Sequence, residues 1–346
     1  AANAAATCSP MSDDGSVEYF LNDIGQHGRN ERTTDAYRRV LRDFERFVSE
    51  EYGKTPSEVD YRECMAYVHE LRADKSESTV ATYASYLNRF YTYLIRVGRH
   101  EENPMSLLID EMEESIDSDP ERRDISLREM RAFLADIDHP LHRAVITTLL
   151  KTGMRSGELC NLDLTDLHLD GDTADWSPRA ALSGTPDTLY VSAEHTYGAT
   201  SNGERRSASN KRRRNTTIPV DDELKRELRR WLAVRPDTDG SPEPLFVATA
   251  DAWGQRVTPD MIHHIVESYT REFGWYRTGG SAAENVTPHY FRHFFTTHLR
   301  DSIGDRGIVK YLRGDVGDDI IDTYTHDWGN RVRETYLAHI YTLFPD

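Results

Sequence analysis

The chain is short of cysteine and of lysine, and it contains no long apolar run. Its 346 residues include three cysteines, Cys8, Cys64 and Cys160, with no metal-ligand spacing among them. A disulfide scaffold and a Cys-rich zinc site are therefore excluded as organising features. No stretch approaches the roughly 20 apolar residues of a membrane span. The opening residues AANAAATCSPMSDDGS lack both a basic start and an apolar core, so they do not read as a secretory leader. Neither a phosphate-cradling glycine loop nor an obvious carboxylate cluster is present, and the expectation is a cytoplasmic protein that needs no metal or other cofactor and has no membrane partner. Only six lysines occur (54, 75, 151, 211, 225 and 310), so the 42 basic residues are mostly arginine, and 59 acidic ones leave a net charge of −17. An acidic, lysine-poor surface suits concentrated salt, and a halophilic setting is the expectation. Bulk charge alone argues against nucleic acid as a partner; the local pattern argues otherwise.

This length predicts two domains. Residues 1–13 are small and polar and read as a disordered tail. Residues 14–110 carry helical periodicity, seen in Val17, Phe20, Leu21 and Ile24, then in Tyr37, Val40, Leu41, Phe44, Phe47 and Val48 behind Thr33 or Thr34 as caps. A short helix follows near Val59–Leu71, and then Val80, Tyr83, Leu87, Phe90 and Leu94 recur at alternating steps of three and four. Between these stripes lie Arg38, Arg39, Arg42, Arg46, Arg89 and Arg96. A solvated helix face is the favoured reading of these arginines; a phosphate-facing surface is the sharper one, with Arg89 as its DNA-contact candidate.

Residues 111–125 are charged, contain Pro120 and read as a linker. The second domain, 126–346, opens on the capping box Ser126-x-x-Glu129. Helices are predicted at 126–138, 140–152, 156–161, 221–233, 259–273 and 288–300, two of them announced by Thr258-Pro259 and Thr287-Pro288. Thr188–Ala193 and Thr216–Val220 read as short strands, and a C-terminal helix is predicted over 331–344, with Leu337, Ile340, Tyr341 and Phe344 on one face.

Four pieces carry chemistry. TGMRSGEL (152–159) presents Arg155 at a helix-end turn, with Glu158 three residues on; an arginine there can aim a two-pronged donor at an anion or simply pair with the glutamate. The stretch from Glu204 to Arg214 holds six basic residues (Arg205, Arg206, Lys211, Arg212, Arg213, Arg214) against one acidic, ahead of the strand TTIPV. Such a cluster suits a nucleic-acid backbone. In TPHYFRHFFTTH (287–298), His289 and Arg292 share a helix face while Phe291, Phe294 and Phe295 anchor it. The fourth piece is YLRGDVGDDIIDTYTH (311–326), in which Tyr324 follows a Gly-containing turn.

In order and register the four pieces resemble the tyrosine recombinase (phage integrase) family. TGMRSGEL is similar to the family's first arginine box and His289-Tyr290-Phe291-Arg292 to its second. Lys211 resembles the hairpin lysine, and Tyr324, 23 and then nine residues beyond Arg292 and Asp315, falls on the nucleophile. The resemblance covers nearly the whole chain. It implies a mainly α fold with a small antiparallel β-sheet, an N-terminal helical core-binding (SAM-like) domain and a C-terminal α+β catalytic domain. It also implies a site-specific recombinase or integrase of a mobile element that cuts and rejoins double-stranded DNA through a 3′-phosphotyrosyl ester, without metal or ATP. Arg155 and Arg292 would clamp the phosphate, His289 would assist proton transfer near neutral pH, Lys211 would protonate the leaving oxygen and Glu158 would orient Arg155. The expected assembly is a tetramer on paired sites, with accessory DNA-bending factors, and the C-terminal helix docked on a neighbouring protomer. One departure stands out: Asp315 occupies the place of the usual second histidine or tryptophan, and an ionised Asp donates no hydrogen bond. Asp315 then orients a neighbour, or Arg313 or His326 supplies the donor. Tyr336 is the rival nucleophile. Two other functions stay open: a catalytically silent DNA-binding protein of the same fold in replicon maintenance, and type IB topoisomerase-like strand cleavage.

Overall fold

The computed structural model describes residues 15–26, 31–116, 121–171, 176–201, 204–238, 243–315 and 328–345. The chain divides into two compact units, Ala1–Asp119 and Pro120–Asp346. The expected tail 1–13 lies outside the described residues.

The first unit is helical. Helices α1 (Ser16–Gln26), α2 (Glu31–Tyr52), α3 (Tyr61–Asp74), α4 (Glu77–Arg96) and α5 (Ser106–Glu111) follow one another. Their apolar stripes meet in one core containing Phe20, Phe44, Tyr67, Leu87, Phe90 and Tyr91. Local chemistry sets the helix starts. Asp60 accepts the Arg62 N–H at 2.8 Å while Glu63 reaches back to the Asp60 N–H, and Ser76 accepts from Thr79. Helix α2 begins earlier than its threonines suggest, so Thr33 and Thr34 sit inside its first turn. Several arginines of α2 pair with carboxylates of their own unit, Arg38 with Asp35, Arg42 with Glu18 and Glu45, and Arg46 with Asp43.

The second unit wraps α6 (Leu127–Ala135), α8 (Ser156–Cys160), α9 (Asp222–Leu232), α10 (Pro259–Glu272) and α11 (Pro288–Ile303) around a central helix, α7 (Pro140–Thr152). Ten of the 13 residues of α7 are buried, which makes it the spine of this unit. It packs against α9 and α11. Two of its inward threonines are satisfied by back-bonding, Thr148 and Thr152 donating to the carbonyls of Ala144 and Thr148. Ser126 and Glu129 form the expected capping box. Thr258 caps α10 at the Met261 N–H, whereas Thr287 starts α11 with extended backbone but no side-chain cap bond.

Among the described residues the sheet is small. Strands β1 (Leu167–His168), β2 (Thr188–Val191) and β5 (Thr216–Pro219) pair antiparallel in the order β1-β2-β5, with Leu189 opposite Leu167 and Ile218. Between β2 and β5 lies a hairpin of β3 (Thr200–Ser201) and β4 (Glu204–Arg205). Helix α12 (Arg306–Arg313), not anticipated from the periodicity, turns through Gly314 towards Asp315.

The C-terminal expectation needs correction. Helix α13 spans Trp328–His339 rather than 331–344, and Leu337, assigned to its apolar face, is exposed. The residues after it pack on their own unit. Buried Lys151 donates to the Tyr341 carbonyl at 2.6 Å and pairs with Asp221 and Glu223, both at 2.6 Å. The Glu223 carboxylate in turn accepts the Leu343 and Phe344 N–H groups. A buried ammonium and a capped chain end hold this segment in place, so α13 stops once the backbone finds these partners.

Candidate active site

The site begins with a glycine. Helix α7 ends at Gly153, whose φ of +60° lets the chain reverse at once into α8. The turn is tight because the Phe295 ring of α11 lies against it; a Cβ on Gly153 would stand 2.2 Å from Phe295 Cδ1. This packing brings the Gly153 carbonyl to 2.7 Å from Arg292 Nη1, and Arg292 also donates to the Arg313 carbonyl at 3.0 Å. Arg292 is therefore 2% exposed and fixed by backbone from two other segments.

Arg155 opens α8. Its N–H donates to Glu158 at 3.0 Å, and its Nη1 meets the other oxygen of the same carboxylate at 3.0 Å. Glu158 is fully buried. Its second cation is Arg212, whose Nε lies 3.2 Å away and whose Nη1 donates to the Leu312 carbonyl at 2.9 Å. Asp315 completes the cluster. One carboxylate oxygen accepts from Arg155 at 3.0 Å and from Arg292 at 2.8 Å, and the other lies 2.8 Å from Arg292 and 2.9 Å from Arg313.

Electrostatics follow from that crowding. Burial, then the Arg155 charge, pushes Arg292 down to about 10, which leaves it protonated at neutral pH. Burial works against the charge of Arg155 too, but Glu158 and Asp315 outweigh it and raise its pKa. Burial disfavours the Asp315 carboxylate, yet Arg292, Arg313 and Arg155 together hold its pKa below the ordinary range. His289, one turn before Arg292 on α11, is lowered to about 4 by desolvation and then by the charges of Arg122, Arg292, Arg155 and Arg313. The residue is nonetheless exposed, so solvent moderates the shift, and the ring is neutral at pH 7 in either case.

Arg155, Glu158, Arg292 and Asp315 thus meet, and His289 lies within their field. Lys211 is exposed beside buried Arg212 and forms no salt bridge with a described residue. Tyr324 and His326 lie outside the described residues. The rival, Tyr336, is completely buried with its hydroxyl donated to the Lys151 carbonyl at 2.8 Å, and burial raises its phenol far out of range, so it is not an available nucleophile. Among the basic candidates for DNA contact, Arg89, Arg205 and Arg213 are exposed and Arg214 is half-buried. Two others are corrections. Arg212 is consumed by Glu158 and Leu312, and Arg206 is buried against Asp163 at 3.2 Å, in a network that joins Glu204 and Arg256. Both side chains are buried within the protein. The positioning role of Arg212 was missed because nothing in KRRR separates a buried arginine from its exposed neighbours. Its only signal is Gly314, where a Cβ would stand 2.5 Å from Arg212 Cγ.

No group of three or more His, Cys, Asp or Glu suited to a metal ion occurs among the described residues, and no helix there is long and apolar enough to cross a membrane.

The chain is similar to known proteins over most of its length. Residues 125–331 match the phage integrase family, and residues 17–98 match the phage integrase N-terminal SAM-like domain. The tyrosine recombinase XerC of Pelobacter propionicus is 24% identical over 313 residues, covering 88% of this chain and 87% of the relative. XerC of Azotobacter vinelandii is 27% identical over 314 residues, covering 87% and 88%. Among solved structures, the integrase of the Tn1549 transposon in complex with a circular intermediate DNA superposes with a TM-score of 0.64 at 18% identity, over 92% of this chain and 98% of that one. A lambda integrase dimer bound to a COC' core site gives 0.62 at 14% identity, over 91% and 77%. With a catalytic-domain match over most of its length and an N-terminal match ahead of it, the chain belongs to the phage integrase family, the tyrosine recombinases.

Proposed function

We propose that this site-specific DNA recombinase cleaves and rejoins strands with Tyr324 as nucleophile and with Arg155 and Arg292 as the clamp on the scissile phosphate. The observation that supports the clamp is the convergence of two guanidiniums, from segments far apart in sequence, on one carboxylate at 3.0 and 2.8 Å. Arginine forks match the two non-bridging oxygens of a phosphodiester, and a preorganised donor of this kind is worth on the order of 3–4 kcal/mol in the transition state. The Tyr324 oxygen attacks phosphorus, the bond to the 5′ oxygen breaks, and that oxygen takes a proton, which Lys211 supplies. The tyrosine proton leaves to a base, and neutral His289 is able to accept it or to donate an N–H to the phosphate. The phosphotyrosyl ester stores the bond energy, so no nucleotide cofactor is required, and the reverse attack by a 5′ hydroxyl rejoins a strand.

Strand exchange further calls for two DNA sites held together, hence a tetramer on paired duplexes, with Arg89, Arg205, Arg213 and Arg214 contributing backbone contacts. The net charge of −17 supports a working environment of concentrated salt. A two-site recombination assay run beside a supercoil-relaxation assay tests the reading. Exchange between sites is expected; relaxation alone would make the activity type IB topoisomerase-like, and tight binding without either would make the chain a silent DNA-binding protein.

A further inference from the structure

Asp315 is a central member of the cluster that the reaction above does not use. Its carboxylate oxygens sit 2.8 to 3.0 Å from three guanidiniums, those of Arg155, Arg292 and Arg313. The backbone delivers it there: α12 ends at Gly314 with φ +73°, the Gly314 N–H bonds to the Tyr311 carbonyl at 2.8 Å, and the Asp315 N–H bonds to the Lys310 carbonyl at 3.0 Å. The Arg212 stem packs against Gly314 from the other side.

A carboxylate held this way presents two oxygens and one negative charge to an arginine fork, as does the pair of non-bridging oxygens of a phosphodiester. Both anions would use the same donors. If the carboxylate stayed in place while a phosphate entered, two anions would be pressed together in a partly desolvated site, which like-charge repulsion disfavours. We propose that Asp315 is a resident counter-ion of the phosphate site, which fills the arginine cradle in the DNA-free chain and is displaced by the entering phosphate. The inference rests on the reading of Arg155 and Arg292 as the phosphate clamp.

The arrangement has a physical rationale. Arg292 is 2% exposed and surrounded by other cations, so without an anion its charge would be both desolvated and repelled. Asp315 supplies that anion until substrate arrives. Its side chain is 28% exposed, which leaves room to rotate towards solvent when displaced. Binding becomes the exchange of one monoanion for another at constant site charge. Weak anions are rejected, and only a phosphate held by further contacts from a duplex completes the exchange.

The test compares the full-length wild type with Asp315→Asn, which keeps the shape and removes the charge, and with Asp315→Ala as a second variant. Inorganic phosphate is the probe, titrated by thermal shift and by calorimetry. Without phosphate the variants should melt below wild type. They should also bind phosphate at least about tenfold more tightly, since one competing charge at ion-pair distance has been removed. Phosphate affinity unchanged or weakened in both variants would overturn the proposal, because a residue that only orients the arginines loses binding when removed. Covalent trapping of wild type on DNA is read separately: its failure would remove the recombinase reading while leaving the phosphate comparison as the measure of whether Asp315 occupies the cradle.

Discussion

Two residues show how narrowly this site is specified. Gly153 combines a left-handed backbone with a ring face where its side chain would be, and its carbonyl holds Arg292. Gly153→Ala is expected to cost roughly 2–5 kcal/mol, the sum of backbone strain and overpacking, and to lower strand cleavage further by shifting Arg292. Chemical denaturation and single-turnover cleavage measure the two effects. Arg212 makes the second case. Buried between Glu158 and the Leu312 carbonyl, it neutralises the carboxylate that aligns Arg155. Arg212→Met should destabilise the chain by about 1–3 kcal/mol, since Glu158 keeps only Arg155 and the Leu312 carbonyl loses its donor, whereas Arg213→Gln, on an exposed position, should stay within about 0.5 kcal/mol. Equal losses in the two variants by urea denaturation would contradict this assignment. In sequence the two arginines are indistinguishable neighbours, and only tertiary packing separates them. The motif residues Arg155 and Arg292 were legible because a turn glycine and an aromatic anchor flank them; Asp315 was legible only as a departure, since two of its three cation partners come from distant segments.

At the scale of elements, periodicity located most helices. The stripe of α4 and the capping boxes of α3 and α6 are local signals, and local signals survive folding when the surrounding core agrees with them. Of the elements that escaped, three have a plain physical reason. Helix α12 is eight residues long and follows α11 after a glycine turn, too brief for a repeat to emerge. The hairpin of β3 and β4 has two residues in each strand and is held by the Asp163, Arg206, Glu204 and Arg256 ion network rather than by alternation. The chain end was misread because Ile340, Tyr341 and Phe344 continue a helical spacing, while the contacts that decide their conformation come from Lys151 and Glu223. Lys151→Met removes the cation shared by Asp221, Glu223 and the Tyr341 carbonyl. It should cost about 3–5 kcal/mol and release the last residues to rapid amide exchange. Unchanged protection of the Leu343 and Phe344 amides would count against the tether.

For the molecule as a whole, charge and function point in opposite directions until they are resolved in space. A net charge of −17 describes the entire surface, whereas four arginines and two carboxylates describe the site. The two-domain organisation was visible in composition, because a charged, proline-containing stretch interrupts two regions of helical periodicity. Self-repulsion of a strongly acidic chain is relieved by screening, so raising potassium chloride from about 0.1 M to about 2 M should raise the melting temperature. A flat or falling response would remove the support for a high-salt habitat. The central claim is tested most directly by incubating the full chain with a nicked suicide duplex from its own locus and mapping the covalent adduct by peptide mass spectrometry. The adduct is expected on Tyr324, and Tyr324→Phe should abolish it while leaving duplex binding near that of wild type. An adduct on any other residue, or none despite tight binding, would contradict the account.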